Sequence, residues 1–442
     1  MSEIFCPLPW LGYAIRNNGD IRVCCHANQG PTRGILLKND ASPFRYNDSI
    51  DETRNSEMLK DIRRTILSGK WHSECIRCER EFKSGLFSRN YNESVMWEPY
   101  LTEDQAINLT DEDGAIDTSK IPLNYFDLRF GNICNLRCRM CYPTDSSGWY
   151  KEYEEVWQTN IYTDTIGKVK IIKDGKKFIA EGNPYDWYKE KTFWNELSKY
   201  KSQMSLLYIV GGEPMIVNEH FDFLEDIDTE VAKHIQIEYN TNLTVIPKRA
   251  VAIWKKFKQI RFGVSIDGYG KINDYIRWPS KFSTIEKNLR TLDNVDANYK
   301  IWITYTISVY NILHLPDFII WKLKQNFNKV NTKRWHPLIT VHPVHRPLHL
   351  NIKIFSKESK DIIKQKLMEG ITKIHKTIDE YNSPHPEKSK KVASKIINGY
   401  IQYMYQDDYS EYIPRFWEFN NKLDKIRGCN LYDYIPELEG LI

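Results

Sequence analysis

Apolar residues recur along this chain at two different periods, and the changes of period divide it into three stretches. In residues 1 to about 120, Met58, Leu59, Ile62 and Ile66 recur at helical spacing, with Ser56 where an N-cap belongs and Gly69 just past the end. Nearer the start, the stretch that runs from Cys6-Pro-Leu-Pro-Trp10 through Gly19 to Cys25 reads as a strand, a turn at Asn17–Gly19 and a second strand. The acidic, turn-rich run Thr102–Lys120 predicts a linker. From about 121 to 345, short apolar runs alternate with amphipathic stretches such as Thr284–Leu292. The strands expected there are Tyr125–Phe130, Leu206–Val210, Ile235–Tyr239, Arg261–Ile266 and Ile301–Val309, and the alternation predicts an α/β fold with a parallel sheet or barrel. Lys168–Ala180, centred on Asp174-Gly175, predicts an inserted hairpin. Beyond about 346 the strand signal fades, and Ile363, Leu367, Ile371, Ile374 and Ile378 mark one face of a helix in a mainly helical extension.

A length of 442 residues predicts two or three domains, and the divisions fall at 1–120, 121–345 and 346–442. A hydrophobic fraction of 41% with 27% charged residues is that of a globular protein. A net charge of +4 supports no nucleic-acid partner, and no apolar run is long enough to cross a bilayer. The opening MSEIFCPLPW lacks a basic n-region and an apolar h-region, so the expectation is a cytoplasmic protein without membrane contact. Eight of the nine cysteines precede residue 142, and Cys429 stands alone. Clustered cysteines in such a chain point to metal ligands in a reducing compartment rather than disulfides.

Cys134, Cys138 and Cys141 follow the strand Tyr125–Phe130 at C-x3-C-x2-C. Three thiolates in one loop suit an iron–sulfur cluster or zinc. A four-iron cubane held by three cysteines keeps one iron open, whereas structural zinc closes with a fourth Cys or His. The closest histidines in sequence are His72 and His220.

This motif resembles the signature of the radical S-adenosylmethionine (SAM) superfamily, and three later segments agree in order and place. Gly211-Gly212-Glu213-Pro214 looks like the family's GGEP motif, which holds the amino group of SAM; the glycines permit close backbone approach. Thr241-Asn242 is similar to a strand-end polar pair, and Ser265-Ile266-Asp267-Gly268 to the element that edges the SAM groove. Arg277 stands where an arginine often reaches the SAM carboxylate. Met140 replaces the aromatic residue that many members carry before the third cysteine, and methionine can fill the same space beside the adenine. The resemblance implies a partial (βα)6 barrel with its site at the strand C-terminal ends. It also implies a 4Fe–4S cluster on Cys134, Cys138 and Cys141 with SAM on the open iron. An external one-electron reductant of flavodoxin or ferredoxin type would then drive reductive cleavage of SAM, and the 5′-deoxyadenosyl radical would abstract hydrogen from a substrate.

Cys75 and Cys78 form a two-residue chelate, and the N-terminal hairpin brings Cys6 and Cys24 towards each other, making four thiolates. This half resembles the twitch and SPASM modules, which hold an auxiliary 4Fe–4S cluster. It carries FCxxPW from Phe5, a GDxxxC pattern from Gly19 to Cys24, and W-x3-C-x2-C from Trp71. The group with an N-terminal twitch domain is similar over roughly residues 5 to 312, with an echo at Asp424–Arg427. Cys25 is an alternative to Cys24 as ligand, and four cysteines would also suit a zinc ribbon.

Other residues read as structural. Cys429 is expected as a buried or half-buried thiol, His336, His342, His345 and His349 as loop and strand-end residues, and Trp10 and Trp71 as core. The lysines from Lys353 to Lys395 mostly suit a solvated helix face. The function expected is radical modification of a peptide or protein. The alternatives are a nucleoside or tRNA base, a sugar or another small metabolite, and a non-enzymatic zinc-stabilised binding module.

Overall fold

The computed structural model describes residues 3–83, 88–157, 161–163, 168–331, 338–381 and 385–442. They group into two units, Met1–Ile133 with Asn160–Tyr239 and Arg249–Gln259, and Cys134–Thr159 with Asn240–Lys248 and Ile260–Ile442. The first unit holds β1 (Gly12–Ile15), β2 (Ile21–Arg22), β3 (Tyr125–Phe130), β4 (Ile161–Thr163), β5 (Lys168–Asp174), β6 (Lys177–Ala180), β7 (Leu206–Gly211) and most of β8 (Gln236–Thr241). In the second unit lie most of β9 (Gln259–Ser265), with β10 (Tyr299–Ile307) and β11 (Thr340–Pro343).

β3, β7 and β8 pair in parallel, as the strand–helix alternation predicts. In β3 the residues alternate: Phe126, Leu128 and Phe130 are at most 1% exposed on one side, and Tyr125, Asp127 and Arg129 stand on the other. Phe130 anchors an aromatic layer, 5.2 Å from Trp194, 6.0 Å from Trp187 and stacked on His220 at 5.8 Å. The hairpin expected over Lys168–Ala180 is present as β5 and β6, turning at Gly175 with φ +58°. β9, β10 and β11 are parallel to one another.

Two expectations at the N-terminal end are corrected. Cys6–Trp10 is not a strand: Leu8–Leu11 forms a helical turn with proline in its first positions, because Pro7 and Pro9 withhold the amides a strand needs. β1 follows it, pairs antiparallel with β2, and runs parallel to β3 with Gly12 opposite Tyr125. The N-terminal hairpin thus widens the sheet of the first unit.

Thr102–Lys120 is not a linker either. Thr102 and Gln105 form a capping box that starts the helix Glu103–Leu109. The turn after it packs on the helix Glu57–Leu67, where the buried Arg63 donates to the Gly114 carbonyl at 3.2 Å. Trp10, fully buried, donates to Thr110 Oγ1 at 2.8 Å and is core, as expected.

In the second unit the helices Lys357–Glu380, Pro386–Tyr405 and Ile413–Arg427 form the expected extension, with Ile363, Leu367, Ile371, Ile374 and Ile378 all buried. Two lysines depart from the solvated face. Lys353 is 5% exposed, pairs with Asp407 at 2.5 Å and lies over the Tyr403 ring; Lys360, also 5% exposed, donates to the Asp407 carbonyl. His342 and His345 are exposed, His349 is buried, and His336 lies outside the described residues. No helix among the described residues is long and apolar enough to cross a membrane.

Candidate functional site

The three central cysteines occupy the loop that begins where β3 ends, and its backbone is held at several points. The Arg137 and Arg139 amides donate to the carbonyls of Trp278 and Ile276 at 2.6 and 2.8 Å. Ser146 Oγ donates to the Leu136 carbonyl at 2.6 Å, and Trp149 Nε1 to that of Cys138 at 3.0 Å. So fixed, the thiols gather: Cys141 is pushed well above the usual thiol range by its hydrogen bond to Cys138, by burial, and by charge on Cys138 and Cys134. Cys138, the buried one of the three, is lowered by the same hydrogen bond, so the thiols share their charge unevenly, a donor set that a cationic cluster would satisfy.

Polar groups converge on the same sulfurs. Asn242 Nδ2 lies 3.9 Å from Cys134 Sγ and donates to Asn135 Oδ1 at 2.9 Å. Arg277 Nη1 lies 3.9 Å from Cys138 Sγ, and its Nε is 2.6 Å from Asp267 Oδ2. Asp267 is fully buried and accepts from the Thr306 amide at 2.7 Å. Its carboxylate therefore holds Arg277 in place beside the cysteines. Ser265 ends β9 opposite Thr304 and is half-buried, as is Met140.

In the first unit, the Gly211–Pro214 loop lies against the residue preceding Cys134. The Glu213 amide donates to the Ile133 carbonyl at 2.8 Å. The Glu213 side chain, 1% exposed, accepts from the Met215 amide at 3.0 Å. A Cβ on Gly212 would stand 2.2 Å from the Ile133 oxygen, so this glycine is needed for the close approach of its loop to Ile133. Gly212→Ala is expected to displace the loop and weaken SAM binding at least about tenfold, which equilibrium dialysis with SAM would measure.

Sequence reading missed the clamp beneath the cysteine loop. Arg139, fully buried, donates to Asn420 Oδ1 at 3.0 Å and Asp424 Oδ1 at 2.5 Å, with its guanidinium 3.6 Å from the Tyr275 ring centre. Arg427 donates to Glu152 at 2.7 Å and to the Arg137 carbonyl at 2.8 Å. The echo at Asp424–Arg427 is thus the far half of this clamp. Cys429, half-buried, lies 3.4 Å from Asp424 Oδ1.

His314 borders Gly268. Its Nε2 accepts from the Tyr269 amide at 3.3 Å, so the ring must be neutral, and burial lowers it to about 4. An unfolded histidine takes its proton near pH 6.5, so this stability is complete above that pH and is lost as pH falls towards 4, by about 3 kcal/mol. Denaturant unfolding at pH 7 and pH 5 should show a smaller acid loss in His314→Gln than in the wild type.

The N-terminal cysteines form a second group within the first unit. Cys6, Cys24, Cys75 and Cys78 line one cavity with Trp71 and Arg89. Cys6 is pushed well up by burial and by Cys24, and Cys78 is pushed up to about 11 by the same two causes. Cys25 is not part of that lining; its sulfur takes a hydrogen bond from Arg89, which also donates to Tyr125 Oη at 3.2 Å. Trp71 packs on Phe82 at 5.9 Å.

Residues 128–316 match the family model of the Radical SAM superfamily. This span of the chain is a Radical SAM domain, and it contains the three-cysteine loop, the Gly211–Pro214 loop, Asn242, Asp267 and Arg277. The N-terminal cysteines lie outside the matched residues. No curated protein matches the chain. Among solved structures it is similar to anSMEcpe with bound AdoMet, at 16% identity over 54% of this chain and 57% of that one, TM-score 0.34. It is similar also to Streptococcus suis SuiB bound to S-adenosylmethionine, at 15% identity over 74% and 63%, TM-score 0.32. SuiB bound to precursor peptide SuiA gives 16% identity over 84% and 71%, TM-score 0.33. The chain spans less than two thirds of the first two structures.

Proposed function

We propose that this enzyme holds two 4Fe–4S clusters, on Cys134, Cys138 and Cys141 and on Cys6, Cys24, Cys75 and Cys78, and modifies a peptide or protein by SAM-dependent hydrogen abstraction. The observation that carries the first site is the convergence of Asn242 and Arg277 on the sulfurs of Cys134 and Cys138, each at 3.9 Å. When bound, the cluster and SAM supply one-electron reduction of the sulfonium and the abstraction that follows. The chain's own residues position them. Asp267 aims Arg277, which is placed to meet a carboxylate; the Glu213 loop presents backbone groups; N–H donors at the sulfurs tune the cluster. A flavodoxin or ferredoxin type of reductant fits this role. The peptide reading is supported by the resemblance to twitch-bearing enzymes.

The second cluster is supported by four thiols that line one cavity, a lining to which Arg89 belongs and Cys25 does not. His26, Cys78 and Glu81 place ligand atoms within 4.8 Å of one another, an arrangement that would suit zinc instead. Metal analysis after anaerobic reconstitution separates the two. Two cubanes require about eight irons per chain; Cys24→Ser should remove about half of them and Cys25→Ser none. Stoichiometric zinc at the N-terminal cysteines would overturn the second cluster.

A further inference from the structure

A single row of residues crosses five strands of the first unit. Arg22 on β2 is paired with Ala14 on β1, Ala14 with Asp127 on β3, Asp127 with Tyr208 on β7, and Tyr208 with Glu238 on β8. Residues directly paired across strands share a face, so this row lies on the side of the sheet opposite Phe126, Leu128 and Phe130. Ala14 carries only a methyl group, and over it Arg22 Nη2 comes within 3.8 Å of Asp127 Oδ2. From two positions further along β3, Arg129 Nε reaches Asp127 Oδ1 at 3.1 Å. Two guanidinium groups therefore share one carboxylate.

Arg22 is 8% exposed and Asp127 fully buried, yet Nε and Nη2 of Arg22 donate no hydrogen bond. Such donors on a buried cation are aimed at an acceptor that Asp127, already shared with Arg129, does not fully supply. Arg129 keeps 24% side-chain exposure and Tyr208 is half-buried, so the row is open to a ligand from the strand face. A guanidinium pair is matched by a carboxylate, which accepts from both in a planar, charge-assisted geometry.

We propose that Arg22 and Arg129 bind a carboxylate of the substrate, that of an aspartate or glutamate side chain in a peptide, with Asp127 holding the two guanidinium groups apart until it arrives. The proposal rests on the peptide reading for the source of the carboxylate, though not for the anion site itself.

Calorimetry on the reconstituted full-length chain without SAM tests it, with four probes: glutarate, glutaramide, and the tripeptides Ala-Glu-Ala and Ala-Gln-Ala, both capped at each end. Each carboxylate probe should bind at least about tenfold more tightly than its amide partner. Arg22→Gln and Arg129→Gln should each weaken that binding about tenfold, with Arg22→Lys in between. Asp127→Asn should act in the opposite direction and tighten it, because it frees both guanidinium groups; a merely structural row predicts weakening in every variant. Equal binding of acids and amides, no binding of either, or weakening by Asp127→Asn would overturn the site. Binding of glutarate without the glutamyl peptide would keep the anion site and overturn its peptide source. None of these readings depends on SAM cleavage, so a failed radical reaction leaves the result interpretable.

Discussion

Cys138→Ala is expected to strip the central cluster and reduce 5′-deoxyadenosine formation to background, a loss of at least ~10³-fold. Cys138 is the most enclosed of the three thiols, 4% exposed, and its carbonyl is fixed by Trp149 at 3.0 Å. Its sulfur receives the Arg277 guanidinium, which Asp267 holds from the other side. Two remaining thiolates cannot complete the cubane's protein ligation, and Cys429 is engaged with Asp424 and Arg139 rather than placed to replace the third. The substitution removes one small buried side chain, so the fold should persist; Cys429→Ala serves as the control and should retain activity. Iron content should fall by about four per chain, leaving the N-terminal site loaded. Retention of full iron and turnover by Cys138→Ala would place the cluster elsewhere.

Arg139→Ala should cost about 3–5 kcal/mol of stability, as the loss of one partner of a buried ion pair does. The guanidinium is fully buried and bound to the Tyr275 carbonyl, Asn420 and Asp424. Removing it leaves the Asp424 carboxylate buried with the neutral Tyr275, Asn420 and Cys429 donors in place of its cation. Asp424→Asn keeps the shape and some hydrogen bonds and should cost less, about 1–2 kcal/mol. Because the Arg139 side chain also anchors the cysteine loop to the Tyr275 carbonyl, Asn420 and Asp424, Arg139→Ala should lose cluster iron to a chelator faster than wild type. Denaturant unfolding and chelation rates read the two effects separately.

The parts legible in the sequence were those set by short-range pattern. β3 begins and ends as the alternation of Tyr125–Phe130 predicts, and the hairpin at Gly175 follows from a turn residue able to adopt positive φ. Side chains with long-range partners stayed hidden. Arg139 bonds Asp424 across 285 residues, and nothing local distinguishes that arginine from its neighbour Arg137. Proline chemistry decided Leu8–Leu11 against the apolar pattern, and the capping box at Thr102 was masked by the acidic composition around it. The role of Gly212 shifted for a related reason: the motif suggested room for a ligand, while the structure sets the Ile133 carbonyl against that position. The row from Arg22 to Glu238 could not be seen at all before the register of five strands was known.

The most direct measurement is release of 5′-deoxyadenosine from the anaerobically reconstituted wild-type chain, mixed with SAM and dithionite. A radical SAM enzyme with its cluster on Cys134, Cys138 and Cys141 should be brown and release it, and the triple alanine variant at these positions should not. A colourless protein carrying stoichiometric zinc and leaving SAM intact, or a triple variant that still cleaves it, would contradict that assignment.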